Sequence, residues 1–430
     1  MEKLKRFIAN YFEDALSPAS NVSQRFFMLL NLLLPVFTGL YLFINTLPLT
    51  AVSEILFYLS LGILLFLILL KKTDFTLRGP LTIPFAMFLI WSIIGLFFTL
   101  DPKNSIHDIY AHLLQYLIIF YLLVNYFHTR KRLEMLSWIM ILSIAFFSIG
   151  AIIGYYFIDG YPFSARLGIG FRVMYTGTMV IITVAFIPLM LNKLYQSKTR
   201  AVKLFLIFCA LRTTLATLLS QSRAALIGLI TALLIMSVNK KKTIVFIIIA
   251  LFFATAIPSI RDRVSRLGFQ DVRSNINRLF FEVFKDYPVT GVGFGIQIYG
   301  NPNLIDLKKY NQKLPEEYQL SPNWIFNCPH NAYLDIAVRT GIVGLMLFLS
   351  ILLVALLMLW QIWRKSQDSR WRAWAVCLLA CLVSIIVQIP FNDLYYPSWI
   401  SLYTILAMIT IVWGLAGKNQ AVNQETRSTS

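Results

Sequence analysis

His330 is the residue whose type and position best suit proton transfer. It lies between Pro329 and Asn331, and nine residues separate Asn331 from a Gly-x-x-Gly motif at Gly341 and Gly344. Imidazole changes charge near neutral pH, and a histidine just before an apolar run lies at the boundary between water and lipid. Free N–H groups at the start of the following helix would favour an anion. The position therefore predicts a general base that acts on a substrate with a lipid part.

Arginine residues supply the positive charge that would bind an anion. Arg223 ends the turn Gln221-Ser222-Arg223 between two predicted helices, and Arg278 lies in a predicted amphipathic helix before the glycine-rich segment 291–295. A guanidinium group binds phosphate oxygens bidentately and stays charged, so two or three arginines can replace a divalent metal at a pyrophosphate. Other candidate anion-binding residues are Arg212, Arg266, Arg273, Arg166 and Arg172.

Each of these residues also has a purely structural alternative. His330 could cap a helix or bind its own loop, Arg223 could anchor the interface, and Arg278 could be a solvated charge. Arg212, near the middle of a predicted span, could line a polar crevice with Arg223 or bridge two helices. Structural roles are favoured for the remaining histidines, which are His107, His112 and His128.

The sequence favours chemistry without a metal or another cofactor. The carboxylates of the polar loop are scattered and form no Asp-x-Asp pair. Of the four cysteines, only Cys328 lies in that loop, and no CxxC motif occurs. Neither a structural zinc site nor a disulfide within the loop is therefore predicted.

The elements that must position these residues are membrane helices. The 430-residue chain is 58% hydrophobic and 13% charged, with a mean hydropathy of +0.70, whereas soluble domains carry about 25% charged residues. An all-α polytopic membrane protein is therefore predicted, because an apolar run of roughly 17–25 residues can span a bilayer as a helix. Twelve spans are predicted, at 27–47, 52–70, 80–100, 111–127, 135–158, 174–192, 202–220, 224–239, 243–258, 333–360, 373–390 and 397–415.

The net charge of +18 reflects membrane topology and not nucleic-acid binding. Basic clusters occupy alternate short loops, which is the positive-inside pattern, with a contribution from anionic lipid head groups. The pattern predicts cytoplasmic termini and an outward-facing polar loop, periplasmic in a Gram-negative host. The clusters lie at 71–72, 130–132, 193–203, 240–242 and 364–372.

Five parts follow along the chain. Within the long loop, the amphipathic helix around Arg278 should end at Tyr287-Pro288, and the glycines at 291–295 suggest a turn with positive φ or close packing. The parts are a cytoplasmic interfacial helix (1–25), transmembrane helices 1–9 (26–258), a periplasmic catalytic loop (259–332), transmembrane helices 10–12 (333–416) and a disordered cytoplasmic tail (417–430).

Together these features resemble the O-antigen ligases and their relatives in the O-antigen ligase/polymerase superfamily. The resemblance covers about residues 205–350, and the spacing of His330 and Asn331 to the Gly-x-x-Gly motif favours ligases over polymerases. The remaining matches are the Ser222-Arg223 turn, Arg278 with the Pro-x-x-Gly-x-Gly segment from Pro288, and twelve helices with one large loop before the tenth.

This resemblance implies a metal-independent, inverting glycosyltransferase with a GT-C-like membrane fold in the bacterial inner membrane, its active site facing the periplasm. The donor would be a glycan on undecaprenyl pyrophosphate and the acceptor a sugar hydroxyl of lipid A–core. His330 would be the general base, while Arg223 and Arg278 would hold the pyrophosphate. Arg266 or Arg273 could replace Arg278 in that role. Substrate-binding roles are implied for Arg212, Arg266, Arg273, Arg166, Arg172 and Asn331.

Three other functions remain open from the sequence. An O-antigen or capsule polymerase would use the same donor with a second lipid-linked glycan as the acceptor. A protein O-oligosaccharyltransferase would glycosylate a polypeptide. A flippase for lipid-linked glycans should line a central cavity with charge from several helices, whereas the polar residues here gather at the outer rim and in one loop.

Overall fold

The computed structural model describes residues 22–167 except 48, 176–237, 272–392 except 323, 324 and 326, and 396–428. In these ranges the regular structure is helical, without a strand. Eight of the described helices are long and apolar enough to cross a membrane, and two shorter apolar helices span Thr82–Phe97 and Arg223–Ser237. The chain is therefore a polytopic helical membrane protein, as the composition predicts.

Eleven of the twelve predicted spans overlap helices of the structure, and the ninth, 243–258, lies outside the described residues. Numbered over the described residues, the helices are α1 (Val22–Ile44), α2 (Thr50–Leu69), α3 (Thr82–Ile94), α4 (Pro102–Asp108), α5 (Gln115–Tyr126), α6 (Arg130–Ile152), α7 (Thr176–Gln196), α8 (Arg200–Leu219), α9 (Arg223–Ser237), α10 (Val272–Asp286), α11 (Leu307–Gln312), α12 (Ala332–Lys365), α13 (Ser369–Ile386) and α14 (Tyr396–Ser428).

Helix α14 is the centre of the bundle, and nearly every residue from 398 to 412 is buried. It packs against α5, α12, α13 and α7. Buried hydroxyl groups donate to carbonyls one turn earlier, as Thr404 does to Ile400 (2.7 Å) and Ser60 does to Leu56 (2.9 Å). These polar side chains can therefore be buried in an apolar bundle without losing their hydrogen bonds.

Basic segments gather at the end of the bundle opposite the long loop. Lys193 forms an ion pair with Glu134 and lies over the rings of Trp138 and Trp374. The loop after α2 is tied to the end of α5, because Asn125 Oδ1 accepts from the backbone N–H of Thr76 (2.8 Å). The alternate basic loops in the described ranges therefore lie together, as the charge pattern requires.

The long loop forms a lobe with its own hydrophobic core at the other end of the bundle, which we call the loop end. Helix α10 begins at Val272 and ends at Asp286, before Pro288, as the amphipathic pattern predicts. One face of α10 is buried, and this face packs against α11, the chain around Tyr299 and the start of α12. The buried residues are Ile276, Leu279, Phe280, Val283, Val292, Ile298, Tyr299, Ile305, Leu307, Leu314, Leu320 and Val338.

The structure describes the two ends of the chain to different extents. The predicted interfacial helix at 1–25 lies outside the described residues as far as residue 21. At the other end, α14 continues through Ser428 and so includes residues 417–428 of the segment for which a disordered tail is predicted. These residues include Gln, Glu, Ala and Lys, which are good helix formers, and they extend a helix that is already nucleated.

Candidate functional site

The lobe is joined to α12 through backbone hydrogen bonds. We call the two segments involved, 288–293 and 338–342, the glycine joint. The bonds run from Val292 N to Val338 O (2.9 Å), from Gly293 N to Arg339 O (3.0 Å) and from Ile342 N to Pro288 O (2.8 Å). They fix the lobe against the first segment of α12, residues 332–340, which directly follows His330 and Asn331.

Two glycines make this close approach possible. Gly341 has φ 70° and interrupts α12, and Gly291 has φ 73°. A Cβ on Gly341 would overlap the carbonyl of Val289, and one on Gly291 would overlap the carbonyl of Arg339. The positive φ predicted for the glycine-rich segment is confirmed at Gly291 and at Gly293 (124°). These glycines are needed where two backbones meet.

Asn331 is the N-cap residue of α12. Its Oδ1 accepts hydrogen bonds from Tyr333 N (3.1 Å) and Leu334 N (3.2 Å). These two N–H groups are therefore already satisfied, so the expectation that the helix start offers them freely to an anion is wrong. The Nδ2 amide remains as the donor of this side chain.

His330 precedes this cap in a left-handed conformation with φ 52°, which is uncommon for a residue other than glycine. Its side chain is half-buried, and Cys328 Sγ lies 3.6 Å from each ring nitrogen. Two residues after His330, the backbone amide of Ala332 donates to Asn392 O (3.1 Å) in the turn after α13. The backbone that follows the histidine is thus fixed by this hydrogen bond and by the N-cap of α12.

An open groove of about 530 Å³ lies between α10 and the start of α12. One helical stripe of α10 forms one wall, because residues 274, 277, 278, 281 and 282 share a face. Residues 314–318 and the first turn of α12 form the other wall. The lining residues are Ser274, Asn277, Arg278, Phe281, Glu282, Leu314, Pro315, Tyr318, Asn331 and Leu334.

Two of the predicted site residues, Arg278 and Asn331, therefore share this groove. The exposed guanidinium of Arg278 lies over the ring of Tyr318, 3.7 Å from its centroid. This contact orients the planar group while its N–H donors remain at the edges. Arg273 is also exposed on α10, but it donates to Phe391 O (3.0 Å) and so ties the lobe to the turn after α13.

The turn between α8 and α9 contains Arg223, whose side chain is exposed. Arg166 Nε donates to Ser220 O (2.8 Å), so this arginine braces the turn. Gln221 has φ 48°, and Ser222 Oγ accepts from the backbone of Ala225 (3.4 Å) at the start of α9. The turn therefore presents Arg223 at a fixed helix start.

Arg223 belongs to the loop end but does not line the groove. Five residues further along α9, Gly228 packs directly against the Gln388 side chain. Gln388 lies four residues before Asn392, whose carbonyl accepts the hydrogen bond from Ala332. The helix that starts at Arg223 and the start of α12 are therefore connected through residues 388–392. His330 also lies outside the groove lining, one residue from Asn331.

Arg212 lies within α8, below the turn. Its guanidinium is 4.3 Å from the ring centroid of Phe208, and its Nε and Nη1 atoms are buried without a hydrogen-bond partner among the described residues. The structure does not bring Arg212 into the groove. Arg172 and Arg266 lie outside the described residues.

Arg339 is a buried charge that the sequence reasoning missed. Its Nη1 forms an ion pair with Asp335 Oδ2 (3.2 Å), its Nη2 donates to Phe294 O, and its guanidinium lies 4.7 Å from the Phe294 ring centroid. Tyr299 OH donates to the other oxygen of Asp335 (3.2 Å). An aspartate and an arginine four residues apart in an apolar run were the available signal.

A small cavity of about 30 Å³ lies beside Arg339, and this volume is enough for a water molecule. His112 lines it, and its Nε2 lies 3.6 Å from Asp108 Oδ1. Asp108 Oδ2 accepts from the backbone of Ile296 (2.7 Å). Most of the other lining is apolar: Phe88, Leu113, Tyr116, Phe294, Ile296, Ile336, Trp399 and Tyr403.

Asp286 braces the far end of α10. Its Oδ2 accepts from Tyr310 OH (2.8 Å) and from Lys313 Nζ (3.0 Å). The hydrogen bond from Tyr310 and the ammonium group of Lys313 lower the pKa of this carboxyl. Within the described residues, no group of three or more His, Cys, Asp or Glu side chains is arranged to hold a metal ion.

Residues 204–349 match the family model described as O-antigen ligase. The match covers 146 of the 430 residues and includes Arg212, Arg223, Arg278 and His330. It confirms the resemblance that the motifs between about 205 and 350 indicated. A search of curated proteins found no match.

Proposed function

We propose, from this family match and the arrangement at the loop end, that the chain is an O-antigen ligase. It would transfer O-antigen polysaccharide from undecaprenyl pyrophosphate to a sugar hydroxyl of lipid A–core at the periplasmic face of the inner membrane. The observation that carries the proposal is the open groove, which Arg278 and Asn331 share and beside which His330 lies. These residues all fall in the matched range.

The proposed reaction is a single displacement. His330 accepts the proton of the acceptor hydroxyl, and the acceptor oxygen bonds to the anomeric carbon of the donor. The bond from that carbon to the pyrophosphate oxygen breaks, and its electron pair leaves with undecaprenyl pyrophosphate. The anomeric centre is inverted, and His330 then releases its proton to water.

Arginine side chains would stabilise the charge that develops on the leaving group. Arg278 is suited to this role because Tyr318 already orients its guanidinium, which reduces the entropy lost on binding. Arg223 is exposed at the start of α9, where a helix N-terminus adds to the attraction for an anion. Each can form two parallel hydrogen bonds to phosphate oxygens.

Lipopolysaccharide display tests the proposal. The chain is expressed with its own glycan pathway and matching core in a Gram-negative strain that lacks its ligase. A restored ladder of core-attached polysaccharide is expected. Undecaprenyl-linked polymer without core attachment would instead establish a polymerase, and glycan on protein would establish a protein O-oligosaccharyltransferase.

In the same assay, we expect His330→Ala to reduce transfer by about 100-fold or more, because general-base catalysis contributes about 10²–10⁴-fold. The matched control is His128→Ala, which removes an exposed histidine at the basic end. Membrane levels and thermal midpoints of both variants establish that the chain is folded. Normal transfer by folded His330→Ala would remove the base assignment.

A further inference from the structure

The α10 wall of the groove contains side chains that the proposed reaction does not use, among them Asn277, Phe281 and Glu282. Tyr318, which orients Arg278, faces this wall from residues 314–318. Together they place two aromatic rings, a carboxylate and an amide around one open cavity. A few polar groups among apolar surfaces are typical of sites that orient a small ligand.

We propose that this part of the groove is a subsite for the first sugar of the lipid-linked donor, the one attached to the pyrophosphate. The inference rests on the proposed function, because it places a phosphate group on Arg278. It adds residues that would contact the sugar ring and so contribute to donor specificity.

The spacing along α10 suits a glycosyl phosphate. Glu282 lies one turn after Arg278, about 6 Å along the helix axis. In a glycosyl phosphate, the sugar ring is bonded directly to a phosphate oxygen. A phosphate on Arg278 would therefore place the ring beside Phe281 and Glu282, on the next turn.

Charge divides the groove in the same way. The carboxylate of Glu282 repels phosphate oxygens but accepts hydrogen bonds from hydroxyl or amide groups. Lys285 Nζ lies 2.6 Å from Glu282 Oε1 and holds the carboxylate in place. With Glu282 paired in this way, the exposed guanidinium of Arg278 attracts the phosphate to its own side, and the uncharged ring occupies the Glu282 side.

The aromatic and amide groups complement the two kinds of surface on a sugar. Phe281 is 48% exposed, with Phe284 stacked beside its ring (5.9 Å between centroids) and Lys285 Nζ 5.3 Å from the ring centroid, and the exposed part of the ring can contact the apolar C–H face of a sugar. Asn277 Oδ1 is buried and has no hydrogen-bond partner among the described residues. A hydroxyl group bound beside it would supply the missing donor, and satisfying such an atom favours binding.

Ligand binding to the full-length chain in lipid nanodiscs tests the subsite. The probes are inorganic phosphate, α-D-glucose 1-phosphate and N-acetyl-α-D-glucosamine 1-phosphate, measured by saturation-transfer NMR and competition. At least one sugar phosphate should bind about tenfold or more tightly than phosphate alone. Asn277→Ala should weaken sugar phosphate binding by about three- to tenfold, the effect of one hydrogen bond, without changing phosphate binding. Glu282→Gln should narrow the preference for sugar phosphate over phosphate by a similar factor, because it also removes a charge that repels phosphate.

A control variant separates recognition of the sugar from general charge effects. Glu317→Gln removes an exposed carboxylate outside the groove lining. It should retain the preference for sugar phosphate. Arg278→Met should weaken the binding of phosphate and sugar phosphates alike. Thermal midpoints verify folding in every case.

The outcomes distinguish the subsite from the proposed function. Equal affinity for phosphate and both sugar phosphates, no binding of any probe, or an unchanged preference in Asn277→Ala and Glu282→Gln would overturn the subsite. If that happened while the display assay still gave a core-attached ladder, the ligase proposal would stand without the subsite. Sugar-dependent binding without transfer to core would support the subsite and overturn the ligase proposal.

Discussion

The groove beside α10 and the small cavity beside the glycine joint are each lined by an arginine, but the two guanidinium groups have opposite surroundings. Arg278 is exposed in an open space of about 530 Å³, whereas Arg339 is buried beside a cavity of about 30 Å³. Arg339 has a carboxylate and a carbonyl as partners, while Arg278 has an aromatic ring. Charge with partners already in place stabilises the fold, and charge held in an open groove is available to a ligand.

The histidines of the two regions differ in the size of the space beside them. His112 lines the small cavity close to Asp108, which itself binds the backbone of Ile296, and 27% of its side chain is exposed. His330 is also half-buried, and it lies next to Asn331 at the open groove. Exposure is therefore similar for the two histidines, and the larger neighbouring space distinguishes His330.

Replacing the buried arginine should have the largest effect on stability. We expect Arg339→Met to lower the free energy of unfolding by about 3–5 kcal/mol, because it leaves Asp335 without its cation in a largely buried position. Thermal midpoints in detergent measure the effect. The matched control, Arg278→Met, should change stability by no more than about 1 kcal/mol through the lost contact with Tyr318. Equal midpoints for Arg339→Met and the parent chain would contradict the structural role.

The glycine joint should be the next most sensitive position. Gly341→Ala places a side chain on a residue with φ 70° and against the carbonyl of Val289. We expect a loss of about 2–3 kcal/mol, because the strained backbone and the overlap both oppose the joint. The control Gly62→Ala lies in α2, where no atom is within 4 Å of the added Cβ. Unchanged stability of Gly341→Ala would show that the joint tolerates a side chain.

Hydropathy predicted most of the fold because a lipid environment forces the backbone of each apolar run into a helix. The amphipathic pattern of α10 was equally informative, since its buried residues follow a 3.6-residue period. Because the prediction relied on hydropathy, it missed the kink at Gly341. Residues 333–360 read as one apolar run, and hydropathy does not report that the loop inserts its backbone at the kink.

The site was predictable only in part. Arg278 and Asn331, both named from the sequence, line one groove, and Arg278 lies there on the exposed face of a helix whose pattern was clear. Arg339 and Asp335 were overlooked because they lie inside a predicted span, where their four-residue spacing marked an ion pair. Contacts such as Tyr318 on Arg278 join segments 40 residues apart, and neither periodicity nor composition encodes them.

Within the groove, the form of the cation should matter more for transfer than for stability. We expect Arg278→Lys to lower transfer about tenfold with an unchanged thermal midpoint, because an ammonium group cannot reproduce the bidentate contact with phosphate. Initial rates with a lipid-linked donor measure the effect. Arg273→Lys is the matched control on the same helix. Full activity of Arg278→Lys combined with a loss in Arg273→Lys would move the phosphate-binding role to Arg273.

The smallest expected effect concerns the exposed brace between α10 and α11. Its hydrogen bonds lower the pKa of Asp286, so the brace stabilises the lobe above the unfolded-state pKa, about 3.9, and this contribution is lost as the pH falls through the lower folded-state value. Asp286→Asn should therefore modestly increase hydrogen exchange in α10 and α11 at pH 7, and the difference from the parent chain should shrink as the pH falls below about 4. Glu317→Gln, which removes an exposed carboxylate four residues after Lys313, should exchange like the parent chain. A difference for Asp286→Asn that persisted in acid would mean that residue 286 acts through packing and not through its charge.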